Sequence, residues 1–321
     1  MPLSPTASGG LRGAAAMSLL GCSTGVSAAF SAYPLLGGQA LRYLLASVLL
    51  VPIALRSSGP SGGDPGARLP TGREFGRLVA LAGTGLVGFN VLLVQALRHS
   101  GPAAVGSVVG AAPLVMAVLG PLLAGRRPGA AAVTAAAVVA AGAAAAQGFG
   151  TGDAAGTAFA LGTLGCEAAF SLLAVPLLPR LGPVGVSAWA TVLAVPMFSV
   201  AAVLADGRAA LRRPDGSELA ALLYLAVLMT CVAFLLWYRA LERLGPERAG
   251  LFAGLVPITA ALSGAVLGEG VPGAGEVFGA VLVGCGVCLG LRSPRRAPVG
   301  PSGLGTPESG VRAGRRSVTM R

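Results

Sequence analysis

The chain alternates between long apolar runs and short polar segments over most of its length. Between residues 11 and 291 the apolar runs are roughly 18 to 24 residues long, enough for a helix to cross a bilayer core of ~30 Å. Turn-forming Gly-Pro pairs at 101–102, 182–183 and 245–246 separate several of these runs. We predict ten transmembrane helices, at residues 11–31, 37–55, 75–97, 102–124, 129–148, 156–177, 183–204, 218–240, 246–268 and 272–291. The pattern therefore predicts an all-α integral membrane protein.

The second half of the chain repeats the first half at a constant offset of 144 residues. Residues 96–142 and 240–286 are identical at 17 of 47 positions, about three times what chance gives in so biased a composition. The tripeptide Leu-Gly-Cys at 20–22 likewise returns at 164–166. Each half contains five predicted helices, and because five is odd, the second half must enter the membrane from the opposite side. The sequence therefore predicts two inverted-topology repeats of five helices.

The repeat divides the chain into five parts. We assign residues 1–10 to a cytoplasmic N-terminal segment, 11–148 to the first repeat, 149–155 to a linker and 156–291 to the second repeat. Residues 292–321 form a basic tail that we expect to be disordered. The first apolar run has the outline of a signal peptide, but it is matched by the sixth run. Cleavage would leave one half with four helices, so we keep it as a helix.

Composition favours a membrane protein over a soluble helical one. Hydrophobic residues make up 54% of the chain and charged residues 11%, against about 25% charged in ordinary soluble domains. Mean hydropathy is +0.78. A soluble fold would have too little charge to cover its surface. The five cysteines lie inside apolar runs, without the spacing of a disulfide framework or a zinc site.

The arginines determine the predicted orientation. With a cytoplasmic N-terminus, all but five of the 23 basic residues lie on the cytoplasmic side; the five are Arg42, Arg98, Arg208, Arg212 and Arg213. This bias predicts a multi-pass plasma-membrane protein with both termini in the cytoplasm. The net charge of +11 then reflects attraction to anionic membrane lipids. No stripe of basic and aromatic residues suggests nucleic-acid binding.

Several motifs occur in both halves in the same order. Gln-Ala-Leu at 95–97 precedes Gly-Pro at 101–102 and a proline at 113, and Tyr-Arg-Ala-Leu at 238–241 precedes Gly-Pro at 245–246 and a proline at 257. Ala-Leu-Arg-Tyr-Leu at 40–44 and Val-Leu-Gly-Glu at 266–269 complete the set. Over about residues 11–291 these motifs resemble the repeat unit of EamA-type proteins of the drug/metabolite transporter superfamily. The resemblance implies export of a small metabolite, an amino-acid-like solute or an amphipathic drug.

One motif departs from the family pattern. The fourth helix of the family unit closes with Gly-Glu, as at Glu269, but the first half reads Gly-Arg-Arg at 125–127. A role that the family gives to that acid therefore does not carry over to the first half. Arg126 and Glu269 both suit simple charge anchoring at a helix end.

Glu167 is the leading candidate for chemistry, because a charged side chain inside a bilayer is costly and usually faces a cavity. It lies in the body of the sixth predicted helix, between small residues that let other helices approach. Its counterpart in the first half is Ser23, followed by Thr24. The two halves thus present an acid and two hydroxyls at equivalent depth. Glu167 either carries a proton or meets a cationic substrate; the alternative is a Glu that hydrogen-bonds to a neighbouring helix as structural glue.

Further candidates for the substrate or coupling site are weaker. Asn90 and Gln95 lie on the third predicted helix, five residues apart and therefore not on one narrow face. Trp237 and Tyr238 line a substrate path or belong to an interfacial aromatic belt. Arg42 attracts an anionic group or snorkels to the outer interface.

Two prolines occupy matched positions in the repeats. We expect Pro113 and Pro257 to kink or loosen helices four and nine around the central cavity. Small-xxx-small pairs such as Gly106/Gly110 pack helices within one chain or join two chains as a homodimer.

The sequence contains little that would indicate an enzyme. One histidine and no lysine cannot build a zinc site or a Ser–His dyad, and no nucleotide-binding glycine motif is present. We therefore expect no metal and no cofactor. A small-molecule substrate would bind near the midplane of a secondary transporter, the two repeats would rock around it, and a proton would be coupled to its movement. Ion-coupled nutrient uptake is the alternative, and an intramembrane enzyme a more distant one.

Overall fold

The computed structural model describes residues 4–29, 33–57, 69–148, 150, 152–207, 210, 212–266 and 272–292. These residues form ten helices, some of them made of shorter helical pieces joined end to end. They are α1 (Pro5–Ala29), α2 (Leu35–Ser57), α3 (Gly72–His99), α4 (Pro102–Leu123), α5 (Ala130–Gln147), α6 (Ala154–Ala174), α7 (Leu178–Asp206), α8 (Gly216–Leu244), α9 (Pro246–Val266) and α10 (Ala274–Arg292). The described ranges contain no strand beyond one isolated bridge between Ser100 and Gly152.

The predicted fold class, an all-α membrane protein of repeated helices, is confirmed. In the described part of the chain, α2 to α10 are long and apolar enough to cross a membrane, by length and composition. α1 is not among the candidate spans found in the described residues, so a tenth span remains a prediction.

Local sequence signals explain where two of the helices begin. α1 starts at Pro5, earlier than predicted, because Ser4 accepts a hydrogen bond from the Ala7 amide at 3.2 Å and Pro5 suits a first helical position. In α7 the backbone leaves helical geometry at Gly182 (φ 66°), so the regular helix starts at Pro183, as predicted.

Corresponding helices of the two halves run antiparallel. α2 packs along α7, with Tyr43 early in α2 stacked on Phe198 late in α7 at 5.3 Å between ring centroids. α5 packs along α10, where a Cβ on Gly142 would lie 2.8 Å from the carbonyl oxygen of Gly279. Opposite directions at matched positions are what an inverted repeat requires.

Each half packs its first helix against the other half. α1 lies against α8 and α9, and its counterpart α6 lies against α3 and α4. A Cβ on Gly13 of α1 would lie 2.9 Å from the Phe252 ring of α9, and one on Gly85 of α3 would lie 2.7 Å from Phe170 Cβ of α6. The largest apolar core cluster accordingly takes side chains from both halves.

Polar contacts join the halves at the end of the bundle where α1 begins, which we call the near end. Arg126, after α4, places Nη2 2.9 Å from Oε1 of Glu247 in the first turn of α9. Arg180 in α7 binds Glu74 at the start of α3 through both Nε, at 2.6 Å, and Nη2. Arg126 therefore has an acid partner, although the first half lacks the closing glutamate; Glu269 lies outside the described residues.

The opposite end, which we call the far end, also carries contacts between the halves. The Tyr33 hydroxyl donates to the carbonyl oxygen of Arg212 at 2.6 Å, and the Arg212 guanidinium covers the Tyr33 ring. His99, at the end of α3, places Nδ1 3.2 Å from Oδ2 of Asp153, which caps α6. The two halves are thus tied at both ends.

Two long helices contain a π-helical segment at the same place in the repeat. The segments are Leu81–Gly88 in α3 and Leu225–Val232 in α8, so both their starts and their ends are 144 residues apart. Isolated π-helix is rare and concentrates at functional sites. Polar side chains bond to backbone carbonyls in these segments: Asn90 Nδ2 donates to Leu86 at 2.8 Å, and Thr230 Oγ1 donates to Leu225 at 3.1 Å.

The fourth helix of each half is interrupted. α4 turns at Gly110-Ala111, and α9 passes through the 3₁₀ segment Gly250–Gly254. Pro113 and Pro257 both fall in the first three residues of the α-helical piece that follows. A proline is tolerated there because its missing N–H would have no partner in the first turn. The interruption therefore lies just before each proline.

Candidate functional site

Aromatic side chains of α6 and α8 form a cluster inside the bundle. The ring centroids of Phe170 and Phe234 are 4.9 Å apart, and Tyr238 lies 5.3 Å from Phe170 and 6.1 Å from Phe234. Trp237 donates its indole N–H to Ser171 Oγ at 3.1 Å. Residues 234, 237 and 238 share one face of α8. We call Phe170, Phe234, Trp237 and Tyr238 the aromatic cluster.

Glu167 lies one turn before Phe170 on the same face of α6. Its Oε2 atom is buried and has no hydrogen-bond partner in the described part of the chain, and the same holds for the hydroxyl of Tyr238. Buried polar groups in proteins are nearly always hydrogen-bonded. Two such orphaned atoms beside one phenylalanine favour the uptake of a proton or of a polar ligand group between α6 and α8.

Trp237 and Tyr238 are buried rather than interfacial. Their exposed fractions are 4% and 0%. An aromatic belt would leave these rings at the membrane surface. The structure therefore brings both residues to the same internal region as Glu167.

Arg42 projects from α2 toward the π-helical segment of α8. Its Nε donates to Thr230 Oγ1 at 2.8 Å, and Nη1 lies 3.4 Å from Gln39 Oε1. The guanidinium also lies over the ring of Tyr43, 5.4 Å from its centroid. Arg42 is half-buried, and its hydrogen bond to Thr230 joins α2 to α8.

The remaining predicted residues are dispersed. Ser23 is buried in α1, where its hydroxyl donates to the carbonyl oxygen of Leu20 at 2.7 Å. The side chain of Thr24 lies outside the described residues. Asn90 and Gln95 are half-buried on α3. Ser23 thus lies on α1, which packs against α8 and α9, and Glu167 lies on α6, which packs against α3 and α4.

Sequence reasoning missed several neighbours of the predicted residues. Phe170 and Ser171 follow Glu167 at helical spacings of three and four, so the α6 face could have been found from the sequence. Thr230 and Phe234 precede Tyr238 by eight and four residues on one face of α8 in the same way. Gln39 precedes Arg42 by three. What the sequence could not supply is that the α6 face meets the α8 face.

A separate cavity of about 250 Å³ lies at the far end, between the α3–α4 turn and the start of α6. Ser100, Ser107 and Thr157 contribute hydroxyls to its lining. Asp153 stands beside it, and the pKa of that carboxyl is lowered, chiefly by the hydrogen bond from the Gly156 backbone N–H and further by the His99 side chain. This cavity is distinct from the aromatic cluster.

No group of three or more potential metal ligands occurs among the residues that the structure describes. Many membrane transporters are built from inverted repeats of helices. The site and the fold therefore define a membrane transporter.

The sequence profile of the EamA-like transporter family matches residues 13–146 and 154–292. The chain belongs to this family, and it is a membrane transporter rather than an enzyme. It is 24% identical over 266 residues to the uncharacterized transporter YetK of Bacillus subtilis (strain 168), covering 80% of this chain and 78% of that protein. A crystal structure with 22% identity superposes with a TM-score of 0.75, covering 88% of this chain and 97% of that one. That likeness shows the fold alone.

Proposed function

We propose that this protein is a proton-coupled secondary transporter that exports a small metabolite, an amino-acid-like solute or an amphipathic drug. The solute binds between α6 and α8 beside the aromatic cluster, and the two interlocked halves rock around it. Glu167 takes up and releases the proton that couples transport to the gradient.

The buried, unpaired carboxylate oxygen of Glu167 carries this proposal. An acidic side chain inside a membrane helix costs free energy, and such acids commonly serve in proton relays. The aromatic cluster next to it supplies apolar surface for the body of an amphipathic solute. The inverted repeat provides two alternative conformations, each open to a different side of the membrane.

The orientation proposed with this function places the near end and both termini in the cytoplasm. The arginine distribution supports it, because the near end carries Arg126 and Arg180 and most of the other basic residues. Export then means release of the solute from the far end.

The test is solute flux in proteoliposomes under an imposed pH gradient, with a panel of amino acids, small metabolites and amphipathic cations. For the transported solute, Glu167→Gln should lower gradient-driven flux by about tenfold or more, equivalent to at least ~1.4 kcal/mol. The rate that remains should no longer depend on the gradient.

Glu276→Gln is the matched control, since it removes one carboxylate at the start of α10, where Glu276 accepts a hydrogen bond from the Gly273 amide at 2.6 Å. Its flux should equal that of the unmodified protein. Flux in Glu167→Gln that still follows the gradient over the full pH range would overturn the coupling role. Gradient-driven accumulation on the near side would favour ion-coupled uptake over export.

A further inference from the structure

Arg42 is a cation inside a membrane helix that has no acidic partner in the described part of the chain. The ion pairs formed by His99, Arg126, Arg180 and Arg212 do not include Arg42. It lies about two turns into α2 and is half-buried. A charge at such a depth is costly unless it is paired or faces a polar cavity.

Thr230 holds the guanidinium from one side. The hydroxyl hydrogen of Thr230 is directed to the carbonyl oxygen of Leu225, five residues earlier in the π-helical segment. The oxygen of that hydroxyl is therefore free to accept the Nε–H of Arg42 at 2.8 Å. The π-helical segment of α8 thus positions the Arg42 head group and limits its freedom to reach the membrane surface.

Most of the N–H groups of the Arg42 guanidinium are not used by these contacts. A guanidinium has five N–H groups; Thr230 accepts one, and Gln39 accepts one at the longer distance of 3.4 Å. The others lie on the two terminal nitrogens, which form the fork that matches a carboxylate with two parallel hydrogen bonds. The ring of Tyr43 covers one face of the group and leaves this edge uncovered by stacking.

The face of α8 that begins at Thr230 continues into the aromatic cluster. Residues 230, 234 and 238 are spaced by four and therefore lie in one row along the helix. A solute whose carboxylate binds Arg42 would lay its apolar part along Phe234 and Tyr238. This face of α8 thus binds the Arg42 guanidinium of α2 at Thr230 and presents an apolar surface at Phe234 and Tyr238.

We propose that Arg42, positioned by Thr230, is the anion subsite of this transporter, and that the transported solute is a carboxylate with an apolar or aromatic body. This inference rests on the proposed transport function and names its substrate class. Arg42 touches the solute directly, whereas Thr230 is a positioning residue.

The test compares carboxylates with their uncharged amides on the purified full-length protein. The probes are hexanoate with hexanamide, phenylacetate with phenylacetamide, and phenylalanine with phenylalaninamide, each titrated while the thermal unfolding midpoint is followed. At least one carboxylate should bind about tenfold or more tightly than its amide, as expected for a charge-assisted pair of hydrogen bonds. Arg42→Gln should abolish this preference.

Two conservative variants keep the test sharp if Arg42→Gln fails to fold. Arg42→Lys keeps the charge but not the fork, and Thr230→Val keeps the shape but not the acceptor; both should reduce the preference for the carboxylate several-fold. Arg98→Gln, at the exposed end of α3, is the control and should bind like the unmodified protein.

Equal binding of acid and amide, or no binding of any carboxylate by the unmodified protein, would overturn the anion subsite. So would an unchanged preference in Arg42→Gln. Flux in parallel proteoliposomes separates the two proposals. Gradient-driven flux without a carboxylate preference refutes the subsite alone, and Arg42-dependent carboxylate binding without flux refutes the transport proposal alone.

Discussion

Asp153 is a carboxylate whose charged form is favoured by two neighbours. It caps α6 by accepting the Gly156 amide at 2.6 Å, and its second oxygen meets His99. These contacts lower the pKa of Asp153. Because the folded-state pKa lies below the unfolded one, the contribution to stability is present above the unfolded pKa of about 3.9 and is lost as the pH falls through the folded value.

We expect Asp153→Asn to lose less stability on acidification than the unmodified protein. Asparagine keeps the cap but not the charge, so near neutral pH the unmodified protein should unfold at a slightly higher temperature than the variant. Below about pH 5 their midpoints should converge or cross, because only the unmodified protein must protonate this group. The difference should be small, since the Asp153 side chain is 57% exposed. Parallel pH dependences in thermal unfolding of both proteins would contradict the assignment.

Residue-level chemistry was only partly predictable from the sequence. Glu167 could be selected because an acid within an apolar run stands out without any knowledge of contacts. The burial of Trp237 could not be predicted, because a tryptophan near the end of a predicted helix suits an interfacial belt equally well. What decides between the two is Ser171 on another helix, which accepts the indole N–H.

Among the helices, α5 and α10 approach each other closely through glycine. A Cβ on Gly279 would lie 2.5 Å from the carbonyl oxygen of Gly142 and 2.7 Å from the backbone nitrogen of Ala146. Gly284, on the same helix, has open space at the corresponding position. One helix therefore offers a crowded glycine and an open one.

We expect the two glycine-to-alanine variants of α10 to change stability in opposite directions. Gly279→Ala should destabilise the protein by about 1–3 kcal/mol, because backbone atoms of α5 cannot yield without separating the helices. Gly284→Ala should be neutral or stabilising by up to ~1 kcal/mol, from helix propensity alone. Thermal or denaturant unfolding in detergent measures both. Equal effects would show that α5 and α10 do not pack as described.

At the scale of the helix, approximate lengths and some boundaries followed from the sequence, but internal geometry did not. The Gly-Pro pair at 182–183 gave the start of regular α7 correctly, because glycine takes the positive φ and proline starts the helix. The π-helical segments had no such signal. Leu81–Gly88 and Leu225–Val232 are apolar stretches whose hydrogen-bond register depends on the helices packed around them.

The molecule as a whole is held at its near end by two ion pairs between the halves. If the halves rock, these pairs must separate when the near end opens. The Arg180–Glu74 contact is the stronger, because Glu74 also accepts bonds from Thr71 and Arg180 also donates to the Leu69 carbonyl oxygen at 2.8 Å. This contact therefore favours the conformation in which the near end is closed.

We expect the double variant Glu74→Gln/Glu247→Gln to shift the protein toward a near-end-open state. Hydrogen exchange followed by mass spectrometry should show faster exchange in the amides of Gly72–Ala80, with no change in those of Gly216–Tyr224 at the far end. Glu218→Gln is the control, because its partner Arg212 belongs to the same half. Faster exchange at both ends in the double variant would indicate general destabilisation instead of opening.

The interlocking of the halves also has a consequence for biosynthesis. α1 makes its main contacts with α8 and α9, which follow it by some two hundred residues. The chain is made from its N-terminus, so α1 leaves the ribosome long before those helices exist. α1 is thus made well before the helices against which it packs, and it completes its packing only after they have been translated.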